Sequence, residues 1–201
     1  MPTDDQTLAA LAAASYSRPA TVETADAHAL IDERPNGTVA IACRGTKPTN
    51  WVDLWRDLGA IDRRTDPILG RVPATIIADV EQLAWRLWKL IAGRPIMITG
   101  HSKGGGEAQG LAAVMIHMGA TVERLTTFAA LRMGTLGGLI AALPGVDYCF
   151  ASDAVPKAPP NELIPRVQTF LPWTKPATLD LFEYHYIENI AAALPAGGQE
   201  I

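Results

Sequence analysis

Residues 95–104 have the sequence PIMITGHSKG, and this stretch predicts the fold of the chain. The apolar run Pro95–Thr99 has the length of a buried strand, and residues 104–118 alternate small and apolar groups in a way that suits a helix. Ser102 therefore lies in a G-x-S-x-G pattern at the turn between a strand and a helix. A serine on such a sharp turn projects its hydroxyl from the sheet edge, where a base can reach it. The stretch thus predicts that Ser102 is a nucleophile.

The rest of the hydrophobic pattern alternates strands with helices. We expect strands at about 27–32, 38–43, 122–128 and 146–151, and helices at about 4–14, 75–91, 136–143 and 181–194. Asn36-Gly37, between the first two strands, is typical of a hairpin turn, and the proline-rich residues 156–176 are expected to be mostly loop. This alternation favours an α/β fold with a mainly parallel central sheet flanked by helices, in a single domain over residues 1–201.

Composition limits the classes of function. A net charge of −4 with no basic stripe argues against a nucleic-acid partner. Cys43 and Cys149 lie in apolar strand-like runs, so we expect buried free thiols and no disulfide scaffold. The first residues, MPTDD, lack the basic region of a secretory signal, and no apolar run is long enough to span a bilayer. We therefore expect a protein that is cytoplasmic or is released without a standard signal peptide.

A serine hydroxyl needs a base, and the chain offers four histidines. His101 adjoins Ser102 and is expected to point to a different side of the turn. His117 lies roughly 22 Å along the following helix, which is too far. His28 begins an early strand, well before the nucleophile. His185, which follows a long loop near the C-terminus, is the candidate base, with a tyrosine-flanked core histidine as the alternative interpretation.

An acid that orients the base is expected between the serine and the histidine in this chain order. Asp153 directly follows a strand at its carboxyl end, where catalytic groups cluster in open α/β sheets. Asp147 is the second candidate, although it lies inside the strand. Asp180 and Glu183 are less favoured because they lie close in sequence to His185.

Acyl transfer also needs hydrogen-bond donors for the developing oxyanion. The backbone amide of Lys103, directly after the nucleophile, is one candidate. The strand over residues 38–43 ends in Arg-Gly-Thr, so the amide and hydroxyl of Thr46 are candidates for the other. On its own, Arg-Gly-Thr is only a turn.

Four motifs in the same order resemble those of the class 3 (fungal-type) lipases and their bacterial relatives. They are IACRGT at 41–46, NWVDLWRDL at 50–58, ITGHSKGG at 98–105 and SDAVPKAPP at 152–160, and a histidine follows at 185. The resemblance runs from about residue 8 to residue 189 and implies an α/β-hydrolase fold. It also implies Ser102 as nucleophile, Asp153 as acid and His185 as base, with Thr46 and Lys103 donating to the oxyanion.

Some stretches depart from the family pattern. Residues 70–73 lack the His-x-Gly-Phe-like segment, and residues 128–134, FAALRMG, replace Gly-x-Pro-Arg. Both stretches shape the substrate pocket in the family, so the sequence does not predict an acyl-chain preference. Lys103 stands where many lipases carry an apolar residue, and its side chain either favours an anionic substrate or is simply solvated.

Residues 50–58 form an amphipathic segment that is a candidate lid. Trp51, Leu54, Trp55 and Leu58 share one helical face. Either this face is a flap that opens in transient contact with a lipid surface, or it packs two tryptophans into the core.

The predicted function is a lipase or esterase that acts on an ester or lipid through an acyl-enzyme. No cofactor or metal is expected, because no cluster of histidine, cysteine and acidic residues has metal-ligand spacing. A thioesterase or amidase with the same triad is an alternative, and so is a catalytically silent binding module of the same fold. The sequence does not predict the oligomeric state.

Overall fold

The structure, a computed structural model, describes residues 2–46, 63–134, 136–158, 166–175 and 183–195. The candidate lid residues Trp51, Leu54, Trp55 and Leu58 lie outside the described residues, as does the less favoured acid Asp180. The lid therefore stays a prediction.

The described elements follow one another in a largely alternating order. They are helix α1 (Asp4–Ala14), strands β1 (Val22–Glu23), β2 (His28–Glu33), β3 (Val39–Cys43), β4 (Arg63–Asp66) and β5 (Gly70–Pro73), helix α2 (Ala74–Ile91), strand β6 (Ile96–His101), helix α3 (Lys103–His117), strands β7 (Val122–Phe128), β8 (Asp147–Phe150) and β9 (Gln168–Leu171), and helix α4 (Ile187–Ala193). Short 3₁₀ turns cover Leu136–Gly138, Val155–Lys157 and Glu183–His185.

Within the described ranges, seven strands form one sheet in the order β1-β2-β3-β6-β7-β8-β9, and β4 and β5 form a separate hairpin. Strand β2 is antiparallel to β1 and β3, whereas β3, β6, β7, β8 and β9 are parallel. The predicted class, a mainly parallel sheet flanked by helices, is confirmed. The carboxyl ends of the parallel strands share one edge of the sheet, which is where Ser102 and Asp153 follow their strands.

Both faces of the sheet are covered, because successive side chains of a strand point to opposite sides. Val39, Ile41 and Cys43 of β3 pack in the core layer that contains residues of α2 and α3. Ala40 and Ala42, between them, pack instead against α1. Helix α4 joins α1 on that second face, over β7 and β8.

Helix α1 is fixed at its start and along its length. Thr3 and Gln6 form a reciprocal capping box, with hydrogen bonds of 3.1 and 3.0 Å. Asp5 accepts hydrogen bonds from Arg124 at 2.9 Å and from Tyr148 at 3.0 Å, which tie the helix to β7 and β8. This anchoring holds the residues that follow α1 beside the edge of the sheet.

One expectation of local structure is wrong, and the structure gives finer bounds for two others. Residues 136–143 form only the 3₁₀ turn Leu136–Gly138 followed by turns, because two glycines weaken a helix there and Gly138 has a φ of 75°. The expected loop over 156–176 contains β9, which is stabilised by parallel pairing with β8. The last helix begins at Ile187, and the 3₁₀ turn Glu183–His185 precedes it.

The two cysteines are free and buried, as expected. Burial raises the pKa of both thiols, well above its usual value for Cys43 and to about 12 for Cys149. Neither thiol is therefore activated as a nucleophile. No helix in the described ranges is both long and apolar enough to cross a membrane.

Candidate active site

Ser102 lies on the turn between β6 and α3 in a strained backbone conformation. Its φ of 61° and ψ of −128° lie in a region that residues with a Cβ rarely adopt, at a cost of about 1–3 kcal/mol. Its amide donates to the carbonyl of Phe128 at 3.0 Å, which fixes the turn against β7. The hydroxyl is buried and has no hydrogen-bond partner among the described residues. The predicted strand–turn–helix geometry is therefore present, with a serine hydroxyl that is not committed elsewhere.

Two glycines let the turn pack against the loop that follows β3. A Cβ on Gly104 would lie 2.6 Å from the amide nitrogen of Gly45, closer than real Cβ atoms approach. A Cβ on Gly45 would lie 2.6 Å from the carbonyl oxygen of His101 and 3.2 Å from the Cβ of Ser102. The backbone of the loop after β3 therefore lies directly beside the serine.

His185 and Asp153 form a buried hydrogen-bonded pair. Nδ1 of His185 lies 2.8 Å from Oδ2 of Asp153, and each residue is 1% exposed. The other oxygen, Oδ1, accepts from the amide of Val155 at 2.9 Å, which holds the carboxylate in place. Because an ionised carboxylate only accepts, Nδ1 carries the proton, and Nε2 is the basic nitrogen of the neutral ring.

The segment that carries His185 reaches the turn that carries Ser102. Nε2 of His101 lies 2.6 Å from the backbone carbonyl oxygen of His185. The two imidazole rings have centroids 4.6 Å apart. The structure thus brings the candidate base to the immediate neighbour of the candidate nucleophile.

The structure describes the other three histidines as well. His28, at the start of β2, has its Nδ1 3.3 Å from a carboxylate oxygen of Glu23 on the neighbouring edge strand. His117 is the last residue of α3. His101 adjoins Ser102, but its ring contacts the segment of the candidate base.

The alternative acids that the structure describes are engaged away from the His185 ring. Asp147 accepts a hydrogen bond from Thr127 at 2.9 Å and lies 3.6 Å from the guanidinium of Arg166. Burial raises the pKa of the Asp147 carboxyl, although Arg166 and Thr127 oppose that shift. Glu183 lies 3.6 Å from the ammonium of Lys175. Asp153 is thus the candidate acid that the structure pairs with His185.

The side chain of Lys103 is 22% exposed and forms ion pairs with two acidic side chains of the protein. Its ammonium lies 2.6 Å from Oε1 of Glu107 and 3.1 Å from Oδ2 of Asp79, and it donates to the carbonyl of Asp26 at 3.2 Å. The two carboxylates lie on α3 and α2, so the Lys103 side chain is directed toward these helices. The backbone amide of Lys103 belongs to the first turn of α3, where N–H groups lack partners within the helix.

Glu107 is fully buried, which disfavours its charged form. Burial raises the pKa of its carboxyl to about 7, and the ammonium of Lys103 opposes part of that shift. Burial on its own would lower the pKa of Lys103, but Glu107 and Asp79 raise it overall. The cluster therefore keeps its lysine charged while one of its carboxyls titrates near neutral pH.

Glu107→Gln is expected to remove a pH-dependent loss of stability. Because burial raises the pKa of Glu107 from its usual 4.5 to about 7, the folded state binds more protons than the unfolded chain between these pH values. The free energy of unfolding of the wild type should fall as pH rises through this window. Gln cannot ionise, so the variant should gain on the order of 2 kcal/mol relative to the wild type between pH 5 and pH 8.

Urea unfolding at pH 5, 6, 7 and 8 measures this difference. Glu81→Gln, on the exposed side of α2, is the matched control and should shift the curve little at any pH. Parallel pH profiles for the wild type and Glu107→Gln would contradict the interpretation of a neutralised buried carboxyl.

Thr46 is exposed at the end of a described range, after Gly45. The closeness of Gly45 to Ser102 brings this loop to the site. Its role as an oxyanion donor, like that of the Lys103 amide, stays a prediction. Among the described residues, no group of three or more histidine, cysteine or acidic residues is placed to hold a metal ion.

Sequence reasoning missed Tyr16. Its hydroxyl lies 2.7 Å from Nδ1 of His101, although the two residues are 85 positions apart in the chain. No motif surrounds Tyr16, so only the packing of α1 against the sheet reveals the contact.

Solved fungal structures share this fold. A mutant form of MDLA from Penicillium cyclopium matches with a TM-score of 0.66 and 16% identity, over 94% of this chain and 95% of that one. The triacylglyceride lipase of Rhizomucor miehei matches with a TM-score of 0.61 and 16% identity, over 79% and 74%. The mono- and diacylglycerol lipase of Aspergillus oryzae matches with a TM-score of 0.59 and 16% identity, over 87% and 80%.

No protein-family model matches the sequence. No curated protein matches it at a significant level. At the identities of the solved structures, the likeness concerns the fold alone. The strand order, the strained turn at Ser102 and the structural matches together give this chain the α/β-hydrolase fold of the class 3, fungal-type lipases.

Proposed function

We propose that the chain is a serine carboxylic-ester hydrolase, a lipase or an esterase. One observation carries the proposal: the buried His185–Asp153 pair lies against the strained turn that holds Ser102, whose hydroxyl has no hydrogen-bond partner among the described residues. A nucleophile with an adjacent base, and a third group that orients the base, is the arrangement that activates serine. The fungal lipase fold supports an ester as the substrate class.

In the first half of the proposed reaction, Nε2 of His185 removes the proton from the Ser102 hydroxyl, whose oxygen attacks the carbonyl carbon of the ester. The carbonyl oxygen becomes an oxyanion that the amide of Lys103 and the amide and hydroxyl of Thr46 stabilise. Asp153 holds the tautomer and stabilises the imidazolium of His185. The imidazolium then protonates the alkoxy oxygen as its bond to carbon breaks, which releases the alcohol and leaves an acyl-Ser102.

In the second half, His185 removes a proton from water, and the hydroxyl oxygen attacks the acyl carbon. The same donors stabilise the second oxyanion. The bond to the Ser102 oxygen breaks, the serine takes the proton from His185, and the carboxylic acid leaves. The protein groups return to their starting protonation states, so the scheme calls for no metal or redox cofactor.

A panel of p-nitrophenyl esters of rising acyl length tests this function. A thioester and an anilide with the same acyl group are the competing substrates. We expect the esters to be hydrolysed with the highest kcat/KM. They should exceed the anilide because p-nitrophenolate leaves more readily than an amine, and they should exceed the thioester because the fold is that of lipases. Hydrolysis of the thioester or the anilide without turnover of any ester would contradict the ester assignment.

A further inference from the structure

His101 joins two parts of the site that lie far apart in sequence. Its Nδ1 lies 2.7 Å from the hydroxyl of Tyr16, and its Nε2 lies 2.6 Å from the carbonyl oxygen of His185. His101 is 4% exposed, so water does not replace these partners. The histidine beside the nucleophile therefore connects the end of α1 to the segment of the base.

The chemistry of the partners fixes the direction of these hydrogen bonds. A carbonyl oxygen only accepts, so Nε2 of His101 carries the proton. Burial lowers the pKa of His101 well below its usual value, so the ring is neutral. Nδ1 of a neutral ring with a protonated Nε2 is an acceptor, and the hydroxyl of Tyr16 is therefore the donor.

The same hydroxyl reaches the loop that follows β3. The backbone amide of Gly45 donates a hydrogen bond to the Tyr16 oxygen, and a Cβ on Gly45 would collide with that oxygen. Burial raises the pKa of Tyr16 well above its usual value, so the hydroxyl keeps the proton that it donates. One directed chain then runs from the Gly45 amide through Tyr16 and His101 to the carbonyl of His185.

We propose that Tyr16 is a positioning residue of this site. Its hydroxyl, acting through His101, holds the loop after β3 and the 3₁₀ turn Glu183–His185 in their relative positions. The inference rests on the proposed function and extends it to a residue that touches neither the substrate nor the reacting atoms. The loop after β3 carries Thr46, and the 3₁₀ turn Glu183–His185 carries the base. Both groups act only within a fraction of an ångström of their productive positions.

Tyr16→Phe removes only the hydroxyl and is expected to lower kcat about 10- to 100-fold with little change in KM. The Gly45 amide and Nδ1 of His101 lose their shared partner. The loop after β3 and the turn that carries His185 are then no longer held in fixed relative positions. The rate at which a fluorophosphonate labels Ser102 should fall by a similar factor, because labelling depends on the same base and donors.

Tyr148→Phe is the matched control, since it also removes one tyrosine hydroxyl that is hydrogen-bonded to a side chain, Asp5. It should leave kcat near that of the wild type. Urea unfolding of both variants gives their loss of stability, which should be similar. A specific fall in kcat for Tyr16→Phe then separates positioning from a general loss of stability.

His101→Gln and His101→Leu supply a second comparison. Glutamine retains an N–H that can donate to the carbonyl of His185, whereas leucine retains only bulk. We expect His101→Gln to keep a larger kcat than His101→Leu. Equal values for the two would contradict the hydrogen bond as the source of the effect.

The outcomes separate this inference from the proposed function. If the wild type is labelled at Ser102, and Tyr16→Phe reacts and turns over as fast as Tyr148→Phe, the positioning role is overturned and the proposed function stands. If the wild type is not labelled at Ser102, the proposed function is overturned, and the role of Tyr16 with it.

Discussion

Ser102→Ala is expected to remove nearly all ester hydrolysis, with kcat/KM lowered by a factor of about 10³ or more. The alanine lacks the oxygen that forms the acyl-enzyme, and the remaining donors and base only assist attack by water. Because the serine hydroxyl has no hydrogen-bond partner among the described residues, its loss should change the free energy of unfolding by less than about 1 kcal/mol. Initial rates with the best p-nitrophenyl ester measure the effect.

Ser152→Ala is the control for this substitution. Ser152 is exposed in the loop that carries Asp153, so its hydroxyl is close to the site but outside the proposed chemistry. It should retain the activity of the wild type. Full activity of Ser102→Ala would show that Ser102 is not the nucleophile.

Asp153→Asn is expected to lower kcat about 10⁴-fold, the effect that this change has in a serine–histidine–aspartate site. The asparagine amide can donate to Nδ1 of His185, which places the ring proton on Nε2. That nitrogen then faces the serine as a donor and cannot remove its proton. The uncharged amide also no longer stabilises the imidazolium.

Asp147→Asn is the matched control, because Asp147 is also a buried acid near the carboxyl edge of the sheet and was the second candidate. Its partners are Thr127 and Arg166, so the substitution should reduce stability while kcat stays close to that of the wild type. A kinetic effect that is large for Asp147→Asn and small for Asp153→Asn would exchange the two roles. Circular dichroism confirms that each variant is folded before its rate is interpreted.

The sequence predicts much of the fold because its strongest signals are local. The apolar run before Ser102 and the small residues after it are each sufficient to indicate a strand and a helix. The position of the serine and the acid at one edge follows from the parallel sheet, since Ser102 and Asp153 both follow strands whose carboxyl ends share that edge. His185 is predicted by elimination among the four histidines, and the structure places its Nδ1 2.8 Å from Oδ2 of Asp153.

The features that the sequence does not predict depend on contacts between distant segments. Strand β9 has only four residues, and their sequence does not indicate a strand. Its stability comes from pairing with β8. The ammonium of Lys103 forms an ion pair with Asp79 on another helix, and no local sequence pattern indicates this contact. Tyr16 and His101 meet because α1 packs against the sheet, so their hydrogen bond becomes visible only in three dimensions.

Covalent labelling shows whether Ser102 is a nucleophile activated by His185. The wild type is treated with a fluorophosphonate, digested and analysed by mass spectrometry, with Ser102→Ala and Asp153→Asn in parallel. If Ser102 is this nucleophile, we expect a single phosphonyl adduct on the peptide that contains Ser102, none on that peptide in Ser102→Ala, and much slower labelling in Asp153→Asn. An adduct on another residue with Ser102 unmodified, or no adduct at all in the folded wild type, would contradict it.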